Sequence, residues 1–109
     1  MKFFFTTHDK FDDLTGRLRE YFPTFVKHRK REFEDLLSAL HRKELKVVRD
    51  YCHKQLGVAA CYRCYQLEEL TKNLRYLAQE EDWQGIEKLM PSFEQYLQEL
   101  IDWSKTISK

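Results

Sequence analysis

Large apolar side chains recur along this chain at spacings of three and four, the period of helices that bury one face. Phe11, Leu14, Leu18 and Phe22 form the first series and predict a short helix over about 9–21. Thr7 or His8 precedes it, and Asp9, Asp12 and Asp13 fall in its early turns, where the helix dipole favours acids. Pro23 predicts the start of a second helix, because a first helical residue has no use for its N–H. Phe25, Val26, Phe33, Leu36, Leu37 and Leu40 form the inner stripe of that helix. His41, Arg42 and Lys43 make a polar junction. A third helix follows over about 44–59, with Leu45, Val48, Cys52, Leu56 and Ala59 on one side. A fourth covers about 62–80, with Leu67, Leu70, Leu74 and Leu77 inward. Asp82 is placed to cap a fifth over about 83–105, with Ile86, Leu89, Met90, Phe93, Leu97, Leu100 and Ile101 as its core positions. Pro91 is expected to kink or split that helix.

Short connections between long amphipathic helices imply antiparallel neighbours. The expectation is one all-α domain over 1–109: an antiparallel up-down four-helix bundle, core about 23–106, with an additional short N-terminal helix.

Composition agrees. The 109 residues include 3 Gly and 2 Pro, and 14 Leu stand against 13 Val, Ile and Thr together, a balance that favours helix over sheet. No Gly-rich phosphate loop is found, which argues against a dinucleotide-binding sheet fold. Lys and Arg number 19 against 18 Asp and Glu, so the basic surplus of a dedicated nucleic-acid binder is missing. No apolar run approaches the ~18 residues of a membrane span, and Phe3-Phe4-Phe5 is shorter than the ~7–15 residues of a signal-peptide core. Three cysteines make a disulfide framework a poor fit and point to a reducing cytoplasm.

His53 is the residue with the most suggestive setting. At about 100° per residue, with Leu45 at zero, the apolar stripe of the third helix centres near 340° and His53 falls near 80°. It therefore belongs at the edge of the buried face or outside it. Gly57 falls near 120° and Ala60 near 60°, so the imidazole stands beside two positions with almost no side chain. A helical glycine costs ~1 kcal/mol against alanine, and close approach of another molecule is one compensation. An ordinary surface histidine beside an ordinary weak spot accounts for the same periodicity.

The wider pattern is more specific. Arg49-Asp50-Tyr51-Cys52-His53-Lys54-Gln55-Leu56-Gly57-Val58-Ala59-Ala60, with Leu67 and Leu74 following, resembles the histidine-containing phosphotransfer (HPt) family of bacterial and fungal phosphorelays. In that family a histidine is followed four residues later by glycine, then by small residues and by leucines on the next helix. The segment from Phe25 to Leu40 resembles the family's preceding helix, and Asp82-Trp83 its entry to the last one. The resemblance spans about 20–105. One departure is clear: the family's lysine before the glycine is Leu56 here. Arg49 is one substitute, because helical side chains lean toward the N-terminus and His53 leans toward that turn. Lys54 is less well aimed, and Lys72 or Arg75 could reach from the fourth helix. Arg75 also replaces a glutamate usual in the family.

The resemblance implies a phosphorelay carrier. A receiver domain's aspartyl phosphate would dock over His53, and the phosphoryl group would pass to a ring nitrogen and later to a second receiver. Histidine is a competent nucleophile near neutral pH, and such transfer depends on in-line positioning and charge neutralisation. Arg49, Asp50, Lys54, Leu56, Gly57 and Ala60 are the phosphoryl neighbours or docking surface. No intrinsic cofactor and no kinase activity of its own are expected; Mg²⁺ belongs to the receiver. The expected partners are a response-regulator receiver or hybrid histidine kinase, with no nucleic acid and no membrane, and the chain is expected to be a cytoplasmic monomer.

Two other readings stay open. A degenerate relative could bind a receiver or kinase without carrying phosphate. A bundle could hold metal through Cys52, His53, Cys61 and Cys64, although no second C-x-x-C or H-x₃-H follows the first pair. The basic run Lys27-His28-Arg29-Lys30-Arg31 is offset by Glu32, Glu34 and Asp35 and reads as a solvated face. Trp83, Trp103, Tyr62, Tyr65, Tyr76 and Tyr96 read as core or boundary packing.

Overall fold

A computed structural model describes residues 16–61 and 64–107, with side chains over 20–60 and 64–105. The described residues form four helices and no strand: α1 (Gly16–His41), α2 (Leu45–Cys61), α3 (Tyr65–Gln79) and α4 (Trp83–Ile107). At 1.5 Å per residue the 26 residues of α1 span about 39 Å, which matches the 40 Å long axis of the molecule. The other three helices therefore lie alongside it, within a cross-section of 24 × 19 Å. Each junction is too short to do more than reverse the chain, so neighbours run antiparallel. α1 packs on α2, α2 on α3, α3 on α4 and α4 back on α1. The bundle is thus a closed ring of four around one core.

Two of the turns share a construction. Lys43 and Glu81 have φ of 54° and 53°, the left-handed region. The N–H groups of Lys43 and Glu44 donate to the carbonyls of Leu40 and Ala39, and those of Glu81 and Asp82 to Ala78 and Leu77. These are Schellman closures, which satisfy the orphan carbonyls at a helix end. Asp82 then caps α4: its Oδ1 accepts from the Gly85 N–H at 2.9 Å.

Phe22, Leu36, Leu67, Leu74, Ile86, Phe93, Tyr96 and Leu100 are the large side chains of the core. Phe33 stacks on Phe93, and Phe22 meets Trp103 edge to face at 5.2 Å between centroids. Aromatic pairs of this kind add to the burial energy.

Several sequence expectations need correction. Pro23 does not begin a helix; α1 runs through it without a break. An interior proline costs ~3 kcal/mol, and the burial of Phe22, Phe25 and Val26 around it, at ~1.5–3 kcal/mol each, outweighs that. The part of the expected N-terminal helix up to residue 15 lies outside the described residues, and 16–21 belongs to α1, so the separate helix ending at Tyr21 is not found. Of the two outcomes expected at Pro91, a kink or a split, the split is not found: α4 runs through Pro91, which is exposed while Ile86, Phe93 and Tyr96 hold both halves in the core. Leu37, whose spacing predicts an inward side chain, is exposed, as are Tyr65 and Tyr76, whose residue type predicts packing.

Candidate functional site

His53 lies in the middle of α2 and is exposed, as its angle on the helix predicts. Arg49, Gly57 and Ala60 are exposed with it, within a sector of about 80°. Among the described residues, a Cβ added to Gly57 would meet no side chain and no neighbouring element within 4 Å. The helix therefore offers its bare backbone one turn beyond the imidazole. Leu56 is half-buried at the border of this face.

The charged neighbours divide by what they already bind. Asp50 accepts from Lys46 Nζ at 3.0 Å, an exposed pair along α2. Lys54 points to the other side, where its ammonium meets Glu32 Oε2 of α1 at 2.6 Å. On α3, Lys72 faces Glu68 at 4.0 Å. Arg49 and Arg75 are exposed and have no ion pair among the described residues. Arg75 is close enough to α2 that its charge acts on the thiol of Cys52, the residue before His53.

Beneath Lys54 lies a polar cluster that joins α1 to α2. Arg29 is buried, with Nη2 at 2.8 Å from Glu32 Oε1 and Nη1 donating to Gln55 Oε1 at 3.2 Å. Gln55, also buried, donates through Nε2 to Glu32 Oε1 at 2.8 Å. The guanidinium of Arg29 also sits over the Phe25 ring at 4.9 Å, a cation–π contact. Burial alone would raise the Glu32 carboxyl, but hydrogen bonds from Lys54 and Gln55 and the charges of Arg29 and Lys54 outweigh it, and Glu32 rests below its ordinary 4.5.

This cluster corrects the reading of the basic run as solvated throughout: Arg29 is inside. The signal was present in the spacing. Phe22, Phe25, Val26, Arg29, Phe33 and Leu36 follow one stripe, and Arg29 occupies a place in it. Gln55 similarly falls near 280° on α2, about 60° from the centre of the apolar stripe.

Cys52 and Cys64 are free and buried. Burial pushes the Cys52 thiol up to about 11, with Arg75 opposing the shift, so it is protonated and unreactive at neutral pH. The Cys61 side chain lies outside the described residues. Among the described residues no three His, Cys, Asp or Glu side chains converge as metal ligands, and no described helix is long and apolar enough to cross a membrane.

Comparisons with known protein families, curated proteins and solved structures each find no match.

Proposed function

We propose that this protein is a phosphorelay carrier that holds a phosphoryl group on His53 between receiver-domain aspartates. Its chief support is the pairing of an exposed, mid-helix His53 with open space at Gly57 one turn on. A nucleophile on a rigid helix, beside backbone that another molecule can approach, suits in-line transfer from a docked donor. A lone pair of the imidazole attacks phosphorus, the N–P bond forms, and the acyl-phosphate P–O bond breaks. The aspartate leaves as carboxylate with the bonding pair, and the imidazole sheds its ring proton to solvent. Return to a second receiver reverses these steps. Mg²⁺ and the acidic pocket belong to the receiver, and the carrier acts as a cytoplasmic monomer.

The experiment is phosphotransfer with Mg²⁺ from a panel of aspartyl-phosphorylated receivers to the parent and to His53→Gln. The proposal expects label on the parent and none on the variant. A folded parent that binds a receiver and stays unlabelled supports the second reading, an interaction module. The observation that favours that reading is Leu56 where a cation beside the phosphoryl group would be expected.

A further inference from the structure

A phosphoryl group on His53 brings close to two negative charges into a face that must balance them. α2 and α3 carry five cations: Lys46, Arg49, Lys54, Lys72 and Arg75. Three already have carboxylate partners. Lys46 is held by Asp50, Lys72 faces Glu68, and Lys54 is drawn across to Glu32, which Arg29 and Gln55 anchor from below.

That leaves Arg49 and Arg75. Arg49 precedes His53 by one turn, on the side toward which a helical side chain leans. Arg75 comes from α3. The junction between α2 and α3 centres on residue 63, so antiparallel packing puts Cys52 at about the height of Leu74, and both are core residues. Arg75 follows Leu74 and is exposed, so by the same register it stands within one turn of the height of His53. The electrostatic effect of Arg75 on Cys52 agrees with that placement.

We infer that Arg49 and Arg75 form a two-helix cation clamp for the phosphoryl group on His53, doing the work that a lysine at position 56 would do. The inference rests on the phosphorelay reading and adds the residues that balance the charge. Arginine suits the role, since its planar fork binds phosphate oxygens in pairs and keeps its charge.

Two donors test it: an aspartyl-phosphorylated receiver, and phosphoramidate, a small donor that needs no docking surface. Arg49→Ala and Arg75→Ala should each slow phosphorylation of His53 on the order of tenfold with both donors, and the double variant more. Leu56→Lys in the double variant should restore much of the rate, which no loss of folding would allow. Thermal midpoints of the single variants should stay near the parent's, since both side chains are exposed.

A double variant that keeps pace with the parent overturns the clamp and leaves the phosphorelay reading standing. A loss confined to the receiver donor assigns the arginines to docking and also overturns it. If the parent takes no phosphate at His53 from either donor, the phosphorelay reading falls and the clamp with it.

Discussion

Gly57 follows His53 by one helical turn, and a methyl group on its Cα would touch none of the described side chains within 4 Å. Among the described residues nothing requires a glycine there. Gly57→Ala is therefore expected to stabilise the fold by about 0.5–1 kcal/mol, read from chemical denaturation. A larger residue, as in Gly57→Leu, should remain folded and yet slow phosphotransfer from a receiver. Full transfer rates with leucine at 57 would show that no partner approaches this backbone.

The Arg29–Glu32–Gln55 cluster predicts an asymmetry between breaking it and replacing it. Glu32→Ala leaves the Arg29 guanidinium buried without its carboxylate and should cost about 3 kcal/mol. Arg29→Met, Glu32→Leu and Gln55→Leu together remove every member and should cost less than Glu32→Ala alone. Urea denaturation of the two proteins decides it.

Glu32 also sets an acid limit. Its carboxyl is depressed in the folded chain, so the unfolded chain binds the proton more tightly. The stability it contributes is complete above about pH 4.5 and is lost as the pH falls through the lower folded value. Glu32→Gln should flatten this part of the stability curve. An unchanged slope as the pH falls below about 4.5 would contradict it.

The turns give a further test. Lys43 and Glu81 hold left-handed conformations that cost a side-chain-bearing residue roughly 1–2 kcal/mol. Part of that is offset by glycine's greater freedom when unfolded, so Lys43→Gly and Glu81→Gly should each stabilise by about 0.5–1 kcal/mol. Gly85→Ala should do the opposite. Its Cβ would lie 2.6 Å from Asp82 Oδ2 and 2.9 Å from Leu77 Cδ2, pushing out the cap of α4 at a cost of about 1 kcal/mol. Thermal midpoints check all three.

Much of this architecture was legible in the sequence because period and burial agree. The stripe through Leu67, Leu70 and Leu74 is buried as the spacing requires, and Asp82 caps the helix it precedes. The angle of His53 placed it outside the apolar stripe, and it is exposed. Pro23 misled because a local stop signal competes with tertiary packing, and three buried neighbours outweigh one lost hydrogen bond. Arg29 misled because a run of five basic residues hides one that occupies an apolar-stripe position. Its partners Glu32 and Gln55 are 3 and 26 residues away, and only the latter separation needs the fold to be seen. The capture of Lys54 by Glu32 was hidden for the same reason, since it joins two helices.

The most direct measurement is to phosphorylate the parent with an aspartyl-phosphorylated receiver at neutral pH and map the modified residue by mass spectrometry. One phosphate per chain is expected, on His53, lost in acid and retained in base. A folded chain that binds the phosphorylated receiver but carries no phosphate, or carries it on another residue, would contradict it.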